Sequence, residues 1–170
     1  YKMFKCMPIS HKLKTIFIHI PKNAGESIER TLDIYGGDPY YTFSGILDQS
    51  KVLQHLTALE LRKMIPESIW GEYFKFAVVR NPWSKAVSEY KWYLKYGPII
   101  TFHDWVKSLE NRIKINSMIH IKEISHNIEQ HRFIYDNKGN LLIDKIIYFE
   151  NLSENFANIS NQKNWNVNLI

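Results

Sequence analysis

The sequence predicts an α/β domain of three layers, with a central, mainly parallel sheet flanked by helices. Three observations lead there. The runs Thr15–Ile20 and Phe74–Val79 are short, β-branched or aromatic and nearly all apolar, the composition of strands buried on both faces. Each is followed by a polar turn and then a helical pattern. A third such run, Lys145–Phe149, lies near the other end, and alternation of strands with helices is the mark of a parallel sheet. With 170 residues, the chain is read as one domain spanning 1–170.

The elements follow in order. Pro21 ends the first strand, and Lys22-Asn23-Ala24-Gly25-Glu26-Ser27 forms a polar turn. From Ser27 a helix presents Ile28, Leu32 and Tyr35 on one face, and Gly36-Gly37 stop it. Residues 38–54 read as a surface loop. Thr57 caps the next helix, with Glu60 completing a capping box, and Pro66 restarts a short helix to about Glu72. After the second strand, Pro82 suits a first helical turn, and Ala86, Val87, Tyr90 and Leu94 keep helical spacing until Gly97-Pro98. A further helix covers 102–110. Phe133-Ile134-Tyr135 and Leu141-Leu142-Ile143, joined by Asp136–Asn140, predict a hairpin. Lys145–Phe149 predicts a buried strand, and Ser153 the cap of a last helix.

Hydrophobic residues at 45% and charged residues at 23% exclude disorder and low-complexity architectures. The net charge of +5 is too mild for a nucleic-acid binder and suits small anionic ligands. It is unevenly placed. Residues 1–30 carry Lys2, Lys5, Lys12, Lys14, Lys22 and Arg30 against Glu26 and Glu29, which is +4. Residues 75–95 carry Lys75, Arg80, Lys85, Lys91 and Lys95 against Glu89, again +4, so the remainder sums to −3. Cys6 is the only cysteine, which excludes an internal disulfide. No apolar run is long enough to span a membrane, and no signal-peptide pattern is present.

The first strand, its glycine-containing turn and the helix behind it make a candidate anion site. The first helical N–H groups lack partners, and the helix dipole favours negative charge there. Gly25 would let backbone approach a phosphate, Lys22 adds a cation, and Ser27 a hydroxyl. Lys22 precedes Gly25, so this is not a Walker A loop, and no magnesium is implied. An ordinary βα turn with a helix cap fits the same spacing. Arg80 leaves the second strand in the same way, with Ser88 on the following helix; a surface salt bridge is the alternative reading. Parallel strands share one C-terminal edge, where ligands bind, so Lys22 and Arg80 are expected to converge on a ligand with more than one phosphate.

These segments carry a resemblance. Ile18-His19-Ile20-Pro21-Lys22-Asn23-Ala24-Gly25-Glu26-Ser27-Ile28 is similar to the 5′-phosphosulfate loop of sulfotransferases that use 3′-phosphoadenosine 5′-phosphosulfate (PAPS). Phe76 to Tyr90, containing Val79-Arg80-Asn81-Pro82 and Ser88, resembles their 3′-phosphate strand and helix. His55–Leu61 and Tyr148–Leu152 fit as well. The nearest branch is the carbohydrate-sulfotransferase-like one, with its bacterial members and relatives of heparan sulfate 2-O-sulfotransferase. A P-loop-like fold is implied.

By that resemblance, the backbone of Asn23, Ala24, Gly25, Glu26 and Ser27 and the Ser27 hydroxyl cradle the 5′-phosphate. Lys22 contacts the oxygen bridging phosphate and sulfate, and Arg80 and Ser88 hold the 3′-phosphate. His55 resembles the branch's general base, a role suited to imidazole; a loop hydrogen-bonder is its alternative. His19 reads as a satisfied core histidine, and Glu150 as structural. Lys22 and His55 are thus the catalytic candidates. The donor is PAPS, the product 3′,5′-ADP (PAP), with no metal expected. The acceptor class is a carbohydrate, and no nucleic-acid partner is expected. Asn23 and Glu26 depart from the threonine or serine common in the family, and an inward-facing Glu26 would weaken donor binding. Many relatives continue past the position of Ile170 into a segment that helps enclose the nucleotide, so a shortened C-terminus is expected. A non-catalytic donor-binding module and a nucleotide kinase with a degenerate phosphate loop are the competing functions. A single cysteine suits the cytoplasm of a bacterium; the sequons at Asn151 and Asn158 would matter only in a Golgi-luminal enzyme.

Overall fold

The computed structural model describes residues 7–34, 53–114 and 129–170. Its described strands form one sheet in the order β1 (Ile9–Ser10), β2 (Thr15–Ile18), β3 (Phe74–Val79), β4 (Lys145–Tyr148). β2, β3 and β4 run parallel, with Phe17 beside Phe76 and Val78 beside Ile147. Only the short edge strand β1 is antiparallel, and it pairs with β2. The mainly parallel sheet flanked by helices is therefore present.

Strand alternation divides the core into two. Ile16, Ile18 and Ala77 pack on one face with Leu56, Ala58, Leu61 and Trp70, drawn from α2 (Ala58–Met64), α3 (Glu67–Glu72) and the turn before α2. Phe17, Phe76, Val78 and Ile147 pack on the other with Ile28, Leu32, Phe156 and Ile159, from α1 (Gly25–Thr31) and its end and from α6 (Leu152–Gln162). Successive side chains of a strand point to opposite faces, so each central strand feeds both layers. α4 (Pro82–Tyr96) and α5 (Phe102–Lys114) follow β3.

Several local expectations are met in detail. Thr57 Oγ1 accepts from the Glu60 amide while Glu60 reaches back to the Thr57 N–H, a complete capping box. Asn81 caps α4 by accepting from the Trp83 and Ser84 amides, with Pro82 in the first turn.

Others are corrected. The hairpin is present only in minimal form: one antiparallel bridge joins Tyr135 and Leu141, the Leu142 N–H donates to the Ile134 carbonyl at 2.8 Å and the Asp136 N–H to the Asn140 carbonyl at 2.9 Å, while Gln130–Phe133 is a 3-10 turn. The loop between Tyr135 and Leu141 is organised by Asp136, whose carboxylate accepts from the Asn140 side-chain amide and from the Asn140 and Lys138 backbone N–H groups, bonds that hold its pKa below the usual value. β4 is an edge strand of the described sheet; Ile147 is buried in one core, Ile146 is partly buried against the other, and Lys145 and Tyr148 are exposed. Ser153 lies inside α6; Asn151 occupies the cap position without a side-chain cap bond. The expected helix stop at Gly36-Gly37 and most of the 38–54 loop lie outside the described residues.

Candidate active site

β2 ends at Ile18, and the chain turns through Pro21–Ala24 into α1. Lys22 (φ 65°) and Ala24 (φ 63°) both adopt left-handed backbone, which costs a side-chain-bearing residue about 1–2 kcal/mol. Strain of this kind gathers at functional turns. Here it reverses the chain at the C-terminal edge of the sheet, beside the exit of β3.

The exit of β3 meets it. Arg80 Nη1 donates to the Lys22 carbonyl oxygen at 3.1 Å, and Arg80 Nε donates to Ser84 Oγ at 3.0 Å. The guanidinium also lies over the Phe149 ring, 4.0 Å from its centroid. Ser88 sits one turn beyond Ser84 on the same stripe of α4 and is half-buried. Asn81, next in the chain, donates its backbone N–H to Glu150 at 2.7 Å, which holds that carboxyl below its ordinary pKa. Glu150 thus fastens the end of β4 to the start of α4, the structural role expected of it.

The basic segments contribute fewer ligand-facing charges than their count suggests. Lys75 is buried and donates to the Trp70 and Tyr73 carbonyls at 3.0 and 2.7 Å, with Asp144 at 3.2 Å. Lys85 and Glu89 form a buried pair at 3.0 Å along α4. Lys22 is half-buried, with its ammonium 5.8 Å from the Trp92 ring centroid. Burial pulls the Lys22 pKa below its usual value, while Glu89 and Glu26 pull the other way. Glu26 itself is exposed and Ser27 half-buried.

Asn23 turns its side chain inward. It is fully buried and donates from Nδ2 to the Val78 carbonyl at 2.8 Å and to Gln130 Oε1 at 2.7 Å. Any contact it makes with a phosphate therefore comes from its backbone.

Gly25 is explained first by the protein's interior. A Cβ there would lie 1.7 Å from His19 Nε2, so the ring of His19 fills the space that a side chain would need. His19 is buried and donates from Nδ1 to Glu29 Oε1 at 2.8 Å, and Gln54 Nε2 donates to the other carboxylate oxygen at 2.8 Å. His19 is the satisfied core histidine expected, and it also reaches the candidate base. Its ring meets His55 edge-on with centroids 4.5 Å apart. His55 Nδ1 lies 3.1 Å from the His19 carbonyl oxygen. A carbonyl only accepts, so Nδ1 carries the proton and Nε2 is the basic nitrogen of the neutral ring.

Three contributors escaped the sequence reading: Gln130, Ser84 and Gln54. Ser84 was detectable, since it stands four residues after Arg80 on a predicted helix. Gln130 and Gln54 had no local signal; Gln130 is 107 residues from its partner Asn23.

The model of the Sulfotransferase family matches residues 7–166. The chain belongs to the sulfotransferase family. No curated protein and no solved structure matches it significantly. The family's chemistry is sulfuryl transfer, so this sulfotransferase carries a transferase domain that embraces both converging segments. Among its described residues, no helix is long and apolar enough to cross a membrane. Among the same residues, no cluster of His, Cys, Asp and Glu is arranged to hold a metal.

Proposed function

We propose that this sulfotransferase moves the sulfuryl group of PAPS to a hydroxyl or amine of a carbohydrate acceptor. The observation that carries the donor assignment is the bond from Arg80 to the Lys22 carbonyl. It joins the two segments that resemble the 5′- and 3′-phosphate elements, so a donor phosphorylated at both positions would meet both at once. The carbohydrate acceptor rests on the resemblance of those motifs to the carbohydrate-sulfotransferase-like branch.

In the mechanism, the backbone from Asn23 to Ser27 and the Ser27 hydroxyl hold the 5′-phosphate at the start of α1. Arg80 and Ser88 hold the 3′-phosphate; the guanidinium has N–H groups beyond those given to Lys22 and Ser84. The acceptor oxygen attacks sulfur in line. Its bond to sulfur forms as the bond from sulfur to the bridging phosphate oxygen breaks, and the electron pair leaves with PAP. Lys22 neutralises the charge growing on that oxygen, and the acceptor proton passes to His55 Nε2. Positioning and charge stabilisation supply the rate enhancement.

Calorimetric titration with PAP and 5′-AMP tests the donor assignment. Wild type is expected to prefer PAP, and Arg80→Ala to lose about tenfold or more in PAP affinity. Equal affinity of wild type for the two nucleotides overturns the reading, and unchanged PAP affinity in Arg80→Ala removes Arg80 from the site.

A further inference from the structure

We propose that Gln130 is a positioning residue that holds Arg80 in register with the 5′-phosphate loop, and so helps this sulfotransferase select a donor carrying a 3′-phosphate. The inference rests on the donor reading above. β3 pairs with β4 only as far as Val79 opposite Tyr148. Arg80 therefore leaves the sheet with its backbone N–H and C=O in need of partners. One side-chain amide supplies both. Gln130 Oε1 accepts from the Arg80 N–H at 2.9 Å, and Gln130 Nε2 donates to the Arg80 carbonyl at 2.8 Å. This two-point grip reproduces what a neighbouring strand would give and fixes the backbone that aims the guanidinium.

The grip extends to the other loop. The same Gln130 Oε1 accepts from Asn23 Nδ2 at 2.7 Å, and Asn23 Nδ2 also donates to the Val78 carbonyl at 2.8 Å. The Arg80 guanidinium in turn donates to the carbonyl of Lys22, the neighbour of Asn23. The bonds close a ring from Gln130 through the Arg80 backbone and side chain to Lys22, then Asn23 and back to Gln130. Each amide orientation is determined by its partners. The Arg80 N–H requires an oxygen and the Arg80 carbonyl requires a nitrogen, which orients Gln130; Gln130 Oε1 and the Val78 carbonyl then both require the nitrogen of Asn23. The spacing between a cation for one phosphate and the backbone cradle for the other is thereby set by a residue that belongs to neither motif. Loss of Gln130 would free the Arg80 backbone and blunt the advantage of a donor phosphorylated at both ends.

A double-mutant cycle separates this role from plain structural support. PAP and 5′-AMP affinities are measured by calorimetry for wild type, Gln130→Leu, Arg80→Ala and the double variant. Gln130→Leu is expected to weaken PAP about tenfold in the wild-type background. It should weaken PAP by less than about twofold when Arg80 is already alanine, because its effect acts through Arg80. Its effect on 5′-AMP should be smaller than on PAP. Equal losses of PAP affinity in both backgrounds, or full PAP affinity in Gln130→Leu, overturn the inference while leaving the donor reading intact. A wild type that does not prefer PAP over 5′-AMP overturns the donor reading and this inference with it. Should Gln130→Leu fail to fold, as judged by circular dichroism, Gln130→Asn carries the same comparison. It keeps the amide but is too short to reach both Arg80 backbone groups.

Discussion

Substituting Gly25 by alanine probes the joint on which the candidate site is built. The new Cβ would stand 1.7, 2.1 and 2.2 Å from Nε2, Cε1 and Cδ2 of His19. Ordinary carbon contacts begin at about 3.5 Å, so the imidazole would need to withdraw by roughly 1.8 Å. It has no easy retreat. His19 is 4% exposed, its Nδ1 is tied to Glu29 at 2.8 Å, and its ring stacks on Phe17 and abuts His55 at 5.6 and 4.5 Å between centroids. Withdrawal breaks the bond to Glu29 and leaves a buried carboxylate short of a partner, a loss of about 3–5 kcal/mol. For a domain of this size each kcal/mol lowers the melting temperature by about 2–4 °C, so a fall on the order of 10 °C is expected. Thermal unfolding followed by circular dichroism, for Gly25→Ala, His19→Ala and the double variant, reads the effect. With His19 reduced to alanine the clash is gone, and Gly25→Ala should then be neutral to within about 1 kcal/mol. Wild-type melting of Gly25→Ala, or an equal cost in both backgrounds, would refute the assignment of Gly25 to the His19 contact.

Two further predictions concern chemistry. Lys22→Ala should retain no more than about one hundredth of the turnover, the scale of losing one charge-stabilising group. In the proposed mechanism Lys22 acts in its protonated form, and burial lowers its pKa; activity is then expected to be complete below that pKa and to fall as pH rises through it, earlier than for an ordinary lysine. Lys22→Arg, whose guanidinium stays charged, should move that alkaline limb upward in a pH–rate profile, and an unmoved limb would detach it from Lys22. If His55 is the proposed base, His55→Ala should slow turnover by about 100-fold or more, whereas near-wild-type rates would dismiss it from that role.

Much of the frame was legible because its causes are local. The apolar runs at Thr15 and Phe74 have the length and β-branched, aromatic composition of buried strands, and Thr57 with Glu60 writes its own capping box. Pro82 suits the first turn of a helix wherever the rest of the chain goes. The positions of Lys22 and Arg80 at two strand ends follow from the same reasoning, since parallel strands share an edge. β4 could not be read this way: Ile146 and Ile147 look alike in sequence, but they point to opposite faces of the sheet, and only the packing decides that Ile147 is buried while Ile146 is partly covered.

The sequence by itself thus determined an α/β domain and two basic segments, at Lys22 and at Arg80, leaving the ends of two parallel strands. Tertiary structure decided what those residues touch. It turned Asn23 inward to Val78 and Gln130, and gave the space above Gly25 to His19. It committed Lys75 and Lys85 to internal pairs and brought Gln130 across 50 residues to hold Arg80. Hydrogen bonds act over about 3 Å of space whatever the separation along the chain. Periodicity and motif spacing record only the near neighbours, and the partners that set the geometry of this sulfotransferase's candidate site are distant ones.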